Sequence, residues 1–205
     1  MIDKIILGFY SFARSIIGII TRPYETYRRI ISKSSLWELI PIGLLLSLYF
    51  GTNALVKTWA FRPFTLTRHF MKTSVAVVVT AIFVSFLLWS LGKLFGGKGE
   101  YKRFFLGWCY TLIPTLCWFL FTSLLYIVFP PPRTTNPSGI LLSVVFLTVS
   151  AVLFFWKIIL SYLSLRFGLR LDLAKILGIL FFSLPIIGLY SIGMYRLGIF
   201  RAPFL

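Results

Sequence analysis

Residues 73–91 read TSVAVVVTAIFVSFLLWSL, an apolar run without a charged side chain. A helix of this length covers roughly 30 Å, the thickness of the hydrocarbon core of a bilayer. Four further runs of the same character occupy residues 39–56, 104–129, 140–165 and 176–195. Lys157 is the only charged residue inside the five runs. The sequence therefore predicts an all-α, polytopic membrane bundle of five transmembrane helices over residues 39–205, preceded by N-terminal helices over residues 1–38.

The composition agrees with this class and indicates a partner. The chain is 59% hydrophobic, with a mean hydropathy of +0.92, whereas soluble domains are roughly 45–50% apolar. Its formal net charge is +16, from 21 Lys and Arg against 5 Asp and Glu. In a soluble protein this excess would suggest nucleic-acid binding, but Lys and Arg also collect beside membrane helices, where they meet anionic lipid. We expect anionic headgroups and no nucleic acid as partners.

The positive charges predict how the bundle is oriented. Thirteen Lys and Arg lie in the N-terminal segment and in the second and fourth connectors, whereas seven lie in the first and third connectors and at the C-terminus. Positive residues are retained on the cytoplasmic side. The split therefore predicts a cytoplasmic N-terminus and a C-terminus on the outside.

The N-terminal segment is amphipathic. Along Met1–Ile20 a narrow stripe of small and polar residues crosses a broad apolar surface: Lys4, Gly8, Ser11, Ser15 and Gly18. Such a helix either lies in the headgroup region or packs under the bundle as part of the core, and the pattern allows both. A second short helix is predicted over Pro23–Ser32. Ser35 and Glu38 then have capping-box spacing at the start of the first membrane helix.

Two stripes of small residues predict helix contacts. They follow a four-residue spacing in the first and third runs: Gly43, Ser47 and Gly51, and Gly107, Thr111 and Thr115. Small side chains allow the backbones of membrane helices to approach closely. We therefore expect both stripes to face other helices.

Lys157 is the single charge at membrane depth. Lys157 is near enough to the cytoplasmic end of its helix for the amine to snorkel to the interface, although a charge inside a membrane helix is also a candidate functional group. Pro114 and Pro185 each remove a backbone hydrogen bond and are predicted to kink their helices. Together with Asn53 and Lys157 they mark where a polar cavity would lie.

The sequence lacks the usual patterns of catalytic and metal sites. Its carboxylates fall at helix ends or outside the runs: Asp3, Glu25, Glu38, Glu100 and Asp172. His69 is the only histidine. Without paired carboxylates, H-E-x-x-H or C-x-x-C, the residues offer no base for hydrolysis or metal catalysis. We predict no enzyme activity, no catalytic or metal-binding residues, and no cofactor.

Residues 95–114 read FGGKGEYKRFFLGWCYTLIP, so that a helix ends in a Gly-rich basic turn and the next helix reaches Tyr-Thr-Leu-Ile-Pro. This pattern resembles the Yip domain family of five-helix membrane proteins, in which a similar turn precedes a G-Y-S-L-x-P-like segment. The resemblance is carried by Gly96, Gly97, Lys98, Gly99, Tyr110 and Pro114. The opening RPYETYRRI at residues 22–30 is similar to the entry of prokaryotic members.

The resemblance has implications for location. Eukaryotic members interact with Rab-type GTPases and carry a long polar N-terminus with an Asp-Leu-Tyr-Gly-Pro element, neither of which this chain has. The resemblance therefore implies a prokaryotic inner-membrane protein, rather than one of the endoplasmic reticulum or Golgi. For such relatives it implies no established biochemical activity.

We predict a protein that acts by binding, as an adaptor or organiser of membrane protein partners or lipids, with a second copy of the chain among the partners considered. The predicted binding face combines the N-terminal helices with the connectors Gly96–Arg103 and Arg166–Lys175. The alternative is a small transporter or lipid-translocating protein. A continuous polar cavity would favour the alternative, and a tightly packed bundle would favour binding.

Overall fold

The described chain consists of eight α-helices and one 3₁₀ turn. The structure, a computed structural model, describes residues 2–33, 35–57, 63–128 and 137–199, without the side chains of residues 2, 53–69 and 126–138. The helices are α1 (Ile2–Thr21), α2 (Pro23–Lys33), α3 (Leu39–Lys57), α4 (Pro63–Leu94), α5 (Tyr101–Tyr110), α6 (Leu112–Val128), α7 (Pro137–Leu169) and α8 (Leu173–Arg196), and the 3₁₀ turn is Leu36–Glu38. These residues contain no β-strand, and the all-α prediction is confirmed.

Five helical segments of the described chain are long and apolar enough to cross a membrane: α1, α4, α5 with α6, α7 and α8. Their outward surfaces are apolar as well. Leu147 on α7 and Phe181 on α8 are 70% and 74% exposed. Contiguous apolar surface of this kind indicates contact with lipid rather than water. The chain is therefore an integral membrane protein.

These five segments differ from the predicted runs at the N-terminal end. α1 qualifies as a span over Asp3–Thr21, although we predicted an interfacial helix or one packed under the bundle. α3 is the predicted first span. Together with the 3₁₀ turn it forms a shorter apolar stretch, Leu36–Thr52, and Thr52 is the last residue of α3 whose side chain the structure describes.

The stripe of small and polar residues on α1 faces the protein. A Cβ on Gly8 would lie 3.1 Å from Trp37 Cβ, and one on Gly18 would overlap Thr26. Ile6 and Ile17, on the apolar surface of the helix, point outward instead. α1 therefore packs through its small residues on α2 and the 3₁₀ turn, and it presents its apolar side chains to the surroundings.

The third predicted run is divided into two helices at Thr111. Pro114 has no N–H to donate to the carbonyl of Tyr110, four residues earlier, so the regular ladder is lost there. Thr111 N–H donates instead to the Trp108 carbonyl at 2.9 Å. Pro185 has a weaker effect, because α8 runs through it without a break.

The core is arranged around α5. One buried cluster, which includes Phe12, Tyr27 and Tyr110, joins α1, α2 and α3 to α5 and α7. A second cluster, which includes Phe104 and Leu169, joins α5 and α7 to α4 and α8. The two ends of α5, roughly 15 Å apart, therefore lie in two different environments, and a distinctive polar feature is found at each.

Candidate functional site

α4 ends in a glycine turn with the hydrogen bonds of a Schellman motif. Gly97 N–H donates to the Gly92 carbonyl at 2.7 Å, and Gly96 N–H donates to the Lys93 carbonyl at 3.0 Å. Gly96 has φ +85°, a left-handed conformation that a residue with a Cβ adopts only at a cost. The glycines Gly96 and Gly97 of the predicted family motif are thus the residues that end this helix.

α7 ends in a similar turn, but with arginine in the left-handed position. Arg170 has φ +56°, and Leu171 N–H donates to the Arg166 carbonyl at 3.3 Å. For a residue other than glycine this conformation costs roughly 1–2 kcal/mol. The backbone at position 170 would therefore favour glycine over arginine.

The two turns pack directly against each other. Lys98 N–H donates to the Leu169 carbonyl at 3.0 Å. Gly99 approaches the Gly168 carbonyl so closely that any Cβ would overlap it. The indole N–H of Trp89 donates to the Gly99 carbonyl at 3.2 Å. We call residues 95–100 and 168–172 the paired turns; their contact explains why the predicted motif needs its third glycine.

The paired turns and the adjoining helix ends carry a cationic surface. Seven exposed Lys and Arg lie on the turns or within the adjoining helix ends: Lys93, Lys98, Lys102, Arg103, Arg166, Arg170 and Lys175. We call these seven residues the turn surface. Of the two carboxylates beside it, Glu100 pairs with Arg103 at 3.1 Å, and Asp172 precedes α8. The surface therefore has a large positive excess.

The N-terminal segment reaches the same end of the bundle. The rings of Tyr24 on α2 and Phe167 on α7 meet edge to face, with centroids 4.8 Å apart. The guanidinium of Arg166 lies over Tyr24 at 5.9 Å and donates to the Tyr162 hydroxyl at 2.7 Å. The structure thus brings together α2 and the two connectors that we predicted to form one face.

A buried carboxylate lies at the other end of α5. Glu38 is 1% exposed. Its carboxylate accepts hydrogen bonds from the Ser11 hydroxyl at 2.6 Å and from the Tyr110 hydroxyl at 2.5 Å. Ser35 does act as the N-cap, but its hydroxyl accepts from Trp37 N–H. The predicted capping box is therefore wrong, because Ser11 and Tyr110 draw the Glu38 side chain into the bundle.

The hydrogen-bonded cluster around Glu38 extends toward α2. Ser15 is fully buried, interacts with the Tyr110 hydroxyl, and accepts from the Arg29 guanidinium at 3.4 Å. Tyr27 on α2 is buried beside them, and its hydroxyl has no hydrogen-bond partner among the described residues. Burial raises the pKa of Tyr27 well above its usual value, and Tyr110 and Cys109 add to the rise. We call Ser11, Ser15, Tyr27, Arg29, Glu38 and Tyr110 the Glu38 cluster.

Sequence reasoning placed Tyr110 in the family motif but assigned Glu38 to a helix end. The available signal was the stripe on α1. Ser11 and Ser15 lie one turn apart on an otherwise apolar helix, and buried hydroxyls require a polar partner. Glu38, at the start of the next long helix, is such a partner.

The first predicted packing stripe faces away from the bundle. Gly43 and Ser47 are exposed. A Cβ on Gly43 or Gly51 would meet no atom within 4 Å in the described part of the chain. α3 packs instead through the opposite side, where Tyr49 and Phe50 are buried. Among the described residues no helix packs closely against this stripe, and the predicted contact of the stripe with other helices stays a prediction.

The second stripe lies inside the bundle. A Cβ on Gly107 would be 3.3 Å from Ser164 Oγ and 3.4 Å from Ile31 Cγ1, so α5 approaches α7 and α2 closely there. Thr111 is buried, and the hydroxyl of Thr115 is buried without a partner among the described residues.

The residues proposed to line a cavity are not brought together by any contact in the described chain. Lys157 is half-buried, and its amine has no hydrogen bond or ion pair to a described residue. Pro114 is buried, whereas Pro185 is exposed, and the side chain of Asn53 lies outside the described residues. Within the same described ranges, no three His, Cys, Asp or Glu side chains form a group that could hold a metal ion.

A family model, the Yip1 domain, matches residues 17–195. Neither a curated protein nor a solved structure matches the chain. Because the family match covers most of the chain, including the paired turns, Glu38 and Tyr110, the protein belongs to the Yip1 domain family.

Proposed function

We propose that this Yip1-domain membrane protein is not an enzyme but acts by binding, as an adaptor or organiser of membrane protein partners or lipids. The observation that carries the proposal is the turn surface on the paired turns. Exposed cations project there from a backbone that is fixed by hydrogen bonds and glycine contacts, such as Lys98 N–H to Leu169 and Gly99 against Gly168.

A fixed backbone favours binding for a physical reason. Association costs conformational freedom, and a surface whose backbone is already ordered loses less of it than a flexible loop does. The excess of positive charge selects partners with acidic groups and speeds their encounter. The start of α2 adds the aromatic contact of Tyr24 with Phe167 to the same end of the bundle.

The proposal places this end in the cytoplasm of a prokaryotic cell, at the inner membrane. It is supported by the division of Lys and Arg, thirteen against seven. Single cysteines at positions 98 and 196, in a chain that carries Cys117→Ser and in which Cys109 is buried, would be tested for labelling by a membrane-impermeant maleimide in intact spheroplasts. We expect only position 196 to be labelled; labelling of position 98, or of neither position, would contradict the orientation.

Photocrosslinking in native membranes tests the binding role directly. A photoreactive residue replaces Lys98 in the full chain, and a matched probe replaces Arg196 at the far end of α8. We expect discrete adducts from position 98 only, and we expect Arg170→Glu with Lys175→Glu to abolish them. Adducts that are identical from both positions, or that survive the double charge reversal, would argue against the turn surface as a binding face.

A further inference from the structure

We infer that Arg170, with Lys98 and Lys175, binds the phosphate of an anionic lipid headgroup at the turn surface. The inference rests on the proposed binding function and names one partner for it. The occupant is a lipid rather than an acidic protein because of the chemistry and the position of these three side chains.

Arg170 occupies a position whose left-handed backbone conformation favours glycine. Its φ of +56° is left-handed, whereas the equivalent position of the neighbouring turn is Gly96. Its side chain is exposed and makes no hydrogen bond or ion pair with any described residue. The guanidinium therefore makes no polar contact with the described residues that would offset the strained backbone, and strain that persists in this way points to a functional role for the side chain.

Lys98 and Lys175 lie on two other segments that border the paired turns. Lys98 N–H is bonded to the carbonyl of Leu169, the residue before Arg170, so Lys98 lies beside Arg170 across the paired turns. Lys175 Nζ lies 3.8 Å from the position of a Cβ on Gly96, over the top of the α4 turn. Three exposed cations without partners among the described residues are thus carried by neighbouring backbone of the second connector, the fourth connector and the start of α8.

The nearby carboxylates leave this positive charge largely uncompensated. Glu100 is engaged with Arg103. Asp172 is exposed, and its carboxylate makes no capping hydrogen bond to α8. One free carboxylate against three cations leaves an excess that an anion of one or two charges would balance.

The depth of the site favours a lipid. α8 begins its apolar course at Leu173, and α4 ends at Leu94, so the three cations stand where long apolar helices meet the headgroup layer. A guanidinium binds a phosphate through two parallel hydrogen bonds, which suits a headgroup phosphate held at fixed depth.

Binding of short-chain lipids to the purified full-length protein in neutral detergent tests the inference. The probes are dihexanoyl phosphatidic acid, dihexanoyl phosphatidylcholine and inorganic phosphate. We expect phosphatidic acid to bind, and Arg170→Gly to weaken it about tenfold or more, the usual effect of losing a charge-assisted hydrogen bond. Lys98→Gln and Lys175→Gln should weaken it several-fold.

Two controls separate the site from general effects of charge and folding. Arg196→Gln removes the same charge at the other end of α8 and should change the affinity by less than about twofold. Arg170→Gly relieves a left-handed arginine, so its unfolding temperature in the same detergent should equal or exceed that of the wild type.

Several outcomes would overturn the inference. They are no binding of phosphatidic acid by the wild type, equal losses in Arg170→Gly and Arg196→Gln, or inorganic phosphate binding as tightly as the lipid. A further contrary outcome is unchanged lipid affinity in Arg170→Gly with loss of the protein crosslinks from position 98, which would make the occupant an acidic protein. Persisting crosslinks with no lipid effect would remove this inference and leave the proposed function standing.

Discussion

The two ends of α5 show two ways of fixing a membrane bundle. At its start, the paired turns are held by backbone hydrogen bonds and by glycines that leave no room for a side chain. At its end, the Glu38 cluster is held by side chains, with hydroxyls of Ser11 and Tyr110 on one carboxylate. The first arrangement leaves its charges exposed, whereas the second uses its charge in hydrogen bonds within the bundle. Substitution should therefore damage the first end through shape and the second through lost hydrogen bonds.

The largest effect is expected at Gly99. Any Cβ there would overlap the Gly168 carbonyl, and a backbone atom cannot move aside as a side-chain tip can. Gly99→Ala should lower the free energy of unfolding by about 3 kcal/mol or more. Gly43→Ala is the matched control, because its Cβ would meet no described atom; it should be neutral or stabilising by up to about 1 kcal/mol. Equal thermal stability of the two variants in detergent would refute the close contact of the turns.

The next effect is expected at Glu38. Glu38→Ala leaves the hydroxyls of Ser11 and Tyr110 buried without their acceptor, which should cost about 2–3 kcal/mol. Tyr110→Phe removes one donor and leaves the carboxylate with the other, so its cost should be smaller, about 1–2 kcal/mol. Unfolding of both variants and of the double variant measures the coupling between them. Additive losses would mean that the two side chains do not share one hydrogen bond.

The glycine turn after α4 was predictable from local sequence, whereas its contact with the turn at 168–172 and the Glu38 cluster were not. Gly96, Gly97 and Gly99 stand close together after an apolar run, and glycine at a helix end has a local cause that a sequence displays. Glu38 also has a local interpretation, the capping box with Ser35, and that interpretation was wrong. Its actual partners, Ser11 and Tyr110, are 27 and 72 residues away.

The difference between local sequence signals and contacts with distant residues also explains why one stripe of small residues lies inside the bundle and the other does not. Four-residue spacing identifies residues that share one side of a helix, but it does not state which side faces the bundle. On α3 the buried side is marked by Tyr49 and Phe50, and on α5 it includes Gly107. The bounds of α3 and α8 lie within a few residues of the predicted runs, whereas α4 begins at Pro63, well before its run, and the third run is divided at Thr111.

The third and smaller effect on the stability of the Glu38 cluster is expected at Tyr27. Its hydroxyl is buried without a described partner, so Tyr27→Phe should be neutral or stabilising by up to about 1 kcal/mol at neutral pH. Burial raises its pKa above 10.0 in the folded protein, whereas the unfolded chain ionises near that value. The wild type should therefore lose stability relative to Tyr27→Phe as the pH rises above about 10. Parallel stability curves for the two proteins between pH 9 and 11 would contradict the burial of this hydroxyl.

The smallest effect is expected at Lys157, which belongs to neither end of α5. Its amine has no hydrogen bond or ion pair to a described residue, and it is flanked by exposed Ile158 and Ile159. A side chain that only snorkels needs a long cationic stem, so Lys157→Arg should change stability by less than about 0.5 kcal/mol. Lys157→Met removes a charge that is costly near hydrocarbon and should be neutral or slightly stabilising. If Lys157→Met instead abolished the crosslinks from position 98 while leaving the unfolding temperature unchanged, Lys157 would be part of the binding machinery, and the division of this protein into a binding end and a structural end would fail.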